Sequence, residues 1–357
     1  MGRIAPPRGK EAWRRTRVAH AIACVALGLL AFARPALGHS EGPSFKDRVI
    51  QTSAKAPTRT VASAPEYAVP GGGSVNVQVD PAYAGTGALE RVLDALGRTV
   101  HGPEMNSLSV HIADQANLNR LCGQGGTACY YASSQTMVVS GSPINTNNQM
   151  PQDMVITHEY GHHIEANRTY PGWSASDLGG RHWATYERLC EGVRAGRLFP
   201  GDQGAHYWEN PGEAFAQAYA EMHYPHVVPW WWSFAEPDQG AFAAIRADVA
   251  DTSPGRTVKW TRTLAPGSPR ARTTLNTSLD GPIAVKLRQP RRARFDLELR
   301  SADGKLLSRG RAARAAKGGS KGTVSQLRYS SCGSRSFTLE VRRRAGKGKF
   351  KAKILRP

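Results

Sequence analysis

The 357-residue chain is short of long apolar runs, of cysteine and of acidic residues, and each shortage narrows what it can be. Only one apolar run has any length, "VAHAIACVALGLLAFA" at 18–33. It falls short of the roughly 20 residues a membrane span needs, which excludes a multi-span membrane protein. Arg3, Arg8, Lys10, Arg14, Arg15 and Arg17 precede it, and Ala36 and Gly38 sit at −3 and −1 of a cut before His39. Basic, apolar, then small-x-small is the order of a secretory signal, so 1–38 reads as a cleaved leader of a secreted protein. No two of the five cysteines have C-x-x-C spacing, which argues against a cysteine-held zinc site. Cys24 would leave with the leader, and an even set remains: Cys122, Cys129, Cys190 and Cys332. An even set in an exported chain predicts disulfides. Cys122 and Cys129 bracket the short loop "CGQGGTAC", a local bridge, which leaves Cys190 for Cys332.

Acidic residues are scarce in one place above all. Residues 256–357 hold 27 Lys and Arg against 5 Asp and Glu, whereas 39–255 hold 13 against 22. Opposite charge balances predict two modules with separate tasks. The basic tail suits an anionic cell-surface polymer, and the absence of any recognition motif argues against sequence-specific nucleic-acid binding. Nothing in the sequence calls for an oligomer, and a monomer is expected.

Residues 39–75, rich in Ala, Pro, Ser, Thr and Gly, read as a flexible leader or linker, with a pro-segment as the alternative. Residues 76–255 read as mixed α and β. "GALERVLDALGRTV" aligns Leu89, Val92, Leu93 and Leu96 on one helical face, and "SLSVHIAD" and "QTMVVSG" alternate as strands. A helix is predicted from about Asp153, and another after Asn210, a good N-cap, with Pro211 at its first position. Beyond 256, Phe295, Leu297 and Leu299, then Phe337, Leu339 and Val341, then Phe350, Ala352 and Ile354 alternate with polar residues around Gly-containing turns. That pattern predicts a small β-sandwich. The whole reads as an α+β chain: a mixed domain at 76–255, then an all-β domain at 256–357. "PHVVPWWWSF" offers Trp230, Trp231 and Trp232, read as an apolar plug beside the helices.

The stretch "VITHEYGHHIEAN" at 155–167 carries His158-Glu159-x-x-His162. On a helix, residues four apart share a face, so both imidazoles reach one metal ion. Glu159 lies about 100° around the axis, where it can face a water on that ion. Such a pattern arises by chance on the order of 1% of the time in a chain like this, which favours a site over coincidence. His163 points off the ligand face. Two histidines still need a partner. An extended H-E-x-x-H-x-x-G-x-x-H would place it at 168, but Glu165 and Arg168 stand where Gly and His belong. No downstream G-T-x-x-x-D is present. A glutamate from a later helix remains, with Glu187, Glu191, Glu209, Glu213 and Glu221 as candidates. Glu213, in the first turn of the helix "ENPGEAFAQAYA", is the choice, and Glu209 stands second. Asn210-x-x-Glu213 is also a capping-box arrangement, in which the glutamate serves only its own helix start.

His158-Glu159-x-x-His162 followed some fifty residues later by Glu213-Ala214-Phe215-Ala216 resembles the gluzincin metallopeptidases, in particular the lethal-factor-type branch with an E-x-F-A helix. Together with "ACYYASSQTMVVSG" and "YWENPGEAFAQAYAE", the chain is similar to secreted bacterial neutral zinc metallopeptidases over about 120–222, and its tail loosely to pre-peptidase C-terminal domains. Gln217 departs from the branch, which often has a second glutamate there. The resemblance implies a zincin-like catalytic domain and one zinc ion on His158, His162 and Glu213. It implies hydrolysis of a protein or peptide substrate by a zinc-activated water with Glu159 as general base, and Tyr207 or His206 as candidates to donate to the oxyanion. Two other readings stand beside it. One is a non-catalytic extracellular binder of anionic polymers on a zincin fold. The other is a zinc amidase acting on cell-wall peptides.

Overall fold

The computed structural model describes residues 47–50, 64–144, 150–252, 255–313 and 323–357. The secretory signal read at 1–38 lies outside the described residues. The chain is mixed α and β, with a β-sheet region at its C-terminal end.

A six-stranded sheet organises the first part, in the order β1-β5-β6-β4-β3-β2. Its strands are β1 (Val49–Ile50), β2 (Glu66–Ala68), β3 (Ser74–Val79), β4 (Ser109–Ala113), β5 (Ala128–Tyr131) and β6 (Thr136–Ser140). β4, β5 and β6 are buried at every residue, and each face of the sheet has its own cover. On one face Val110, Ile112, Tyr130, Met137 and Val139 join the main core with helices α1 (Ala88–Gly97) and α3 (Gln152–Ala166). On the other, Cys129, Tyr131 and Val138 pack with Leu118 and Leu121 of α2 (Gln115–Cys122). The Cys122–Cys129 disulfide joins α2 to β5. The α1 face is the one read from sequence, with Val92 and Leu96 fully buried and Leu89 and Leu93 half-buried.

Residues 39–75 were expected as a flexible leader, yet 47–50 and 64–75 belong to the fold. β1 pairs in parallel with β5, and β2 pairs antiparallel with β3. Strands of two or three residues carry no alternation to read. Their order comes from partners distant in the chain, which composition does not reveal.

After α3 come a short hairpin, β7 (Thr169–Tyr170) and β8 (Trp173–Ser174), and five helices: α4 (Ala175–Leu178), α5 (Arg181–Tyr186), α6 (Leu189–Arg194), α7 (Pro211–His223) and α8 (Gln239–Ala250). α3 is buried on all sides, so its sequence has no polar face to display. It packs closely on α7 because Gly161 meets Ala216: a Cβ built at 161 would lie 2.8 Å from the Ala216 Cα. The Ala-rich stretch "GEAFAQAYA" lets the two backbones approach. Arg168, at the place the extended histidine motif would use, is instead a buried clamp. It binds the Glu104 carboxylate at 3.3 Å and the Asp248 and Val249 carbonyls at 2.7 Å.

The C-terminal part is two antiparallel sheets over one apolar core. β9 (Arg256–Leu264), β11 (Gly281–Arg288), β14 (Arg311–Ala313), β15 (Val324–Ser331) and β17 (Gly348–Arg356) form one. β10 (Arg270–Thr277), β12 (Arg294–Ser301), β13 (Leu306–Arg309) and β16 (Arg335–Ala345) form the other. Ile283, Val285, Phe350 and Ile354 face Leu297, Leu299, Leu339 and Val341. The strands on either side of the Gly346 turn, β16 and β17, lie in different sheets. There the chain changes sheets, with Gly346 at φ +67° hard against the Arg292 carbonyl. The Cys190–Cys332 disulfide fastens α6 to the end of β15.

The α3–α7 contact supplies a direct test. Gly161→Val inserts atoms where Ala216 already sits and should cost about 1–3 kcal/mol, read as a lower thermal midpoint. Gly267→Ala, where a Cβ meets nothing within 4 Å, should be neutral to within about 0.5 kcal/mol. Equal effects would mean the close approach does not constrain the fold.

Candidate metal centre

Every candidate ligand is positioned by α3 or α7, with one exception. His158 and His162 share a face of α3, as four-residue spacing requires, and α7 presents Glu213 opposite them. All three are fully buried. The fourth group comes from far upstream: Asp47, just before β1, with a side chain removed from solvent.

One donor atom from each of the four lies within 4.8 Å of the others. Asp47 Oδ2 stands 2.7 Å from His158 Nε2 and 3.7 Å from His162 Nε2. Glu213 Oε2 stands 3.6 Å and 3.2 Å from the same two nitrogens. A tetrahedral ion with bonds of about 2.0–2.1 Å holds its donors about 3.3 Å apart, so these separations scatter around what a zinc-sized ion requires.

The far ring atoms are held as ligating histidines are usually held. His158 Nδ1 donates to Gln217 Oε1 at 3.1 Å, and His162 Nδ1 donates to Glu165 Oε2 at 2.9 Å. Both Nε2 atoms therefore point into the centre. Gln217, which departs from the resembled branch, orients the first histidine with its carbonyl oxygen. Glu165, where the extended motif wants glycine, orients the second.

Electrostatics draws positive charge to this point. Burial raises the Asp47 carboxyl, but the two histidines outweigh it and hold it well below the usual carboxylate range. Burial lowers His158, and the Asp47 and Glu213 carboxylates overcome that and push it up to about 9. His162 is likewise driven well above its ordinary value. Two carboxylates in a dry pocket demand a cation, and either protons or a metal ion meets the demand.

The capping-box alternative for Glu213 is not what the helix start uses. Asn210 Oδ1 caps through Gly212 N at 3.2 Å, and Asn210 N donates to the Tyr207 carbonyl at 3.1 Å. Glu213 takes its bonds from Gln203 Nε2 at 2.5 Å and the Tyr207 hydroxyl at 3.2 Å. Glu209 turns toward His206, 3.8 Å away, and is half exposed. His206 stacks on Phe199 with ring centroids 3.7 Å apart and is not brought into the cluster. Tyr207 is, since its hydroxyl also donates to Asp47 Oδ1. Trp208 and Trp232, 5.2 Å apart, back the Tyr207 ring, and Trp232 is buried in the core.

Glu159 is fully buried, and neither carboxylate oxygen has a hydrogen-bond partner among the described residues. Burial, then the Asp47 charge, raises its pKa well above the ordinary value. His163 is a structural residue. It accepts from Tyr130 Oη at 2.9 Å, donates to the Glu104 carbonyl at 2.9 Å, and is kept neutral by burial, with its pKa lowered to about 4.

Asp47 and Gln203 were not anticipated from sequence. Gln217 was noted only as a departure from the resembled branch, and its bond to His158 was not read. Asp47 stands in a Pro- and Ala-rich stretch followed only by Val49-Ile50, too weak a strand signal to place it.

No family model matches the chain, and no curated protein matches it. Among solved structures, the chain is similar to the pre-peptidase C-terminal domain of collagenase from Bacillus anthracis. The match is 14% identical, covers 28% of this chain and 88% of that one, and has a TM-score of 0.23. A likeness at that level carries no functional content.

A metal ion must displace protons from this site. His158 in the metal-free chain is protonated below about pH 9, and a ligating imidazole is neutral. Zinc uptake at pH 7.5 should therefore release at least about one proton per chain, a release that fades as pH rises above about 9. Titration calorimetry in buffers of different ionisation heat reads this directly. Uptake with no proton release at pH 7.5 would contradict the described electrostatics.

Proposed function

We propose that the chain is a secreted zinc-dependent hydrolase of peptide bonds, with His158, His162 and Glu213 as the resident ligands and Glu159 as the general base. The observation that supports it most is the convergence of two imidazole nitrogens and two carboxylate oxygens beside a buried, unbonded Glu159. A catalytic centre of this kind has three protein ligands and one exchangeable position, and α3 and α7 supply those three.

When bound, zinc supplies a Lewis acid and brings the pKa of a water to about 7. Glu159 has no hydrogen-bond partner among the described residues, and with a cation bound beside it in place of the Asp47 charge that helps raise its pKa, its carboxylate would take a proton from the attacking water and pass it to the leaving amine. The Tyr207 hydroxyl reaches the centre and is placed to donate to the carbonyl oxygen as negative charge develops there. The dry surroundings strengthen both roles. On this reading the first part of the chain is a zincin-like catalytic domain of gluzincin type.

Hydrolysis is best assayed with Asp47→Ala, which clears the fourth carboxylate from the centre. In that background Glu159→Gln should keep stoichiometric zinc and lose casein-type hydrolysis. Tyr207→Phe should cost about 10²–10³ in kcat, the usual effect of removing one oxyanion donor. Undiminished cleavage by the Glu159→Gln chain would sink the mechanism. Cleavage of peptidoglycan peptides but not casein would move the assignment to a cell-wall amidase.

A second, compatible role is supported by how charge divides between the two C-terminal sheets. Asp296, Glu298 and Glu340 all lie on the four-stranded sheet, where Arg344, Arg300, Arg309, Arg272 and Arg342 pair with them. The five-stranded sheet carries no acidic residue. Lys259, Lys353 and Lys286 are direct cross-strand neighbours on its outer face, and Lys351 faces Arg288. Like charges opposed in this way destabilise a sheet, so the row suits an anionic polymer better than it suits folding. The face shows no outward aromatic ring for base stacking, which favours a phosphodiester wall polymer over single-stranded nucleic acid. Lys351→Glu with Lys353→Glu should weaken such binding and flatten its salt dependence. Unchanged binding would remove the sheet face from the account.

A further inference from the structure

Asp47 is out of place in a catalytic centre. Three ligands come from two helices that pack on each other, whereas Asp47 comes from a segment outside them, on the far side of residues 51–63. Its carboxylate stands 2.7 Å from His158 Nε2, where it would compete with an exchangeable ligand of a bound ion.

The residues that follow Asp47 also occupy a seat. β1 is the outermost strand of the sheet, and without it β5 would be the edge. Tyr130 N donates to the Arg48 carbonyl at 3.2 Å, and Ala132 N donates to the Ile50 carbonyl at 3.1 Å. An exposed strand edge beside a hydrolytic centre is where an extended peptide binds, through those same backbone groups. Here two residues of the chain itself fill it.

The site's own machinery grips the segment. The Tyr207 hydroxyl, placed to donate to a substrate oxygen, donates to Asp47 Oδ1. Gln203 bridges the two parts: its Oε1 accepts from Val49 N at 3.4 Å, and its Nε2 donates to Glu213. The metal position, the oxyanion donor and the neighbouring strand edge are thus all taken by four consecutive residues.

We infer that residues 47–50 are a latency segment: Asp47 is a removable fourth metal ligand, and β1 fills the edge of β5 that an extended peptide substrate would occupy. The inference rests on the metal-hydrolase reading above and adds to it how the site is closed. Two features set the segment apart from a permanent structural ligand. It makes a strand of only two residues, and it leaves the other three ligands with all their own orienting bonds to Gln217, Glu165, Gln203 and Tyr207.

The test uses the full chain loaded with zinc, as wild type, Asp47→Asn and Asp47→Ala. A small hydroxamate, which chelates zinc only where a coordination position is open, is titrated by calorimetry. Cobalt-substituted samples report the ligand change by visible absorption. The expected result is stoichiometric metal in all three chains, with hydroxamate affinity about 100-fold lower in wild type than in Asp47→Ala, which corresponds to Asp47 being off the metal in about 1% of chains. The cobalt spectrum should change between wild type and Asp47→Ala as water replaces the carboxylate. Equal hydroxamate affinity would overturn the inference. So would loss of metal from both variants, which would make Asp47 a required ligand. If the variants bind metal and hydroxamate but cleave no peptide, the hydrolase reading fails while the removable ligand stands. If wild type itself binds no zinc, both fall.

Discussion

Two carboxylates and two imidazoles meet at one buried point, and the structure around them is arranged to make that meeting tolerable. Charges of one sign withdrawn from water repel strongly, and the arrangement persists only if a cation or its protonic equivalent sits among them. The helices bring the groups within range because Gly161 and Ala216 let α3 and α7 approach at backbone distance. The outer bonds to Gln217 and Glu165 then fix which ring nitrogen faces inward. A bulkier residue at the helix contact would separate Glu213 from the histidines before it touched any of them.

Much of the centre was legible in the sequence, for a physical reason: it is local. His158, Glu159 and His162 lie within five residues, and helical geometry alone puts them in register. Glu213 was legible in a weaker way, since its helix start allowed a capping role as well, and only three-dimensional packing shows that its carboxylate turns to the cluster instead. The disulfide pairings followed from number and spacing, and both are as read. The alternating strands of the C-terminal domain were visible because one face of each sheet is buried. The change of sheet at Gly346 was not, because the same glycine-rich signal serves a hairpin and a crossover equally well.

What the sequence concealed was long-range. Asp47 joins the centre through strand pairing with β5, some eighty residues later, and two-residue strands leave no periodic trace. Composition in 39–75 suggested a flexible leader or linker, or a pro-segment. In the fold, part of that stretch forms the two edge strands of the sheet, and Asp47 reaches the buried cluster. The same misreading hid β2, whose only support is its neighbour β3.

Asp47, Glu165 and Glu213 lie against the two histidines, while the excess of Lys and Arg falls at 256–357 in the sequence. The measurement that bears most directly on this account is X-ray absorption at the zinc edge of the purified full chain. The account predicts about one zinc per chain with two nitrogen and two oxygen donors at about 2.0–2.1 Å. A chain that retains no zinc, or whose zinc is surrounded by sulfur or survives unchanged in His158→Ala, would contradict it.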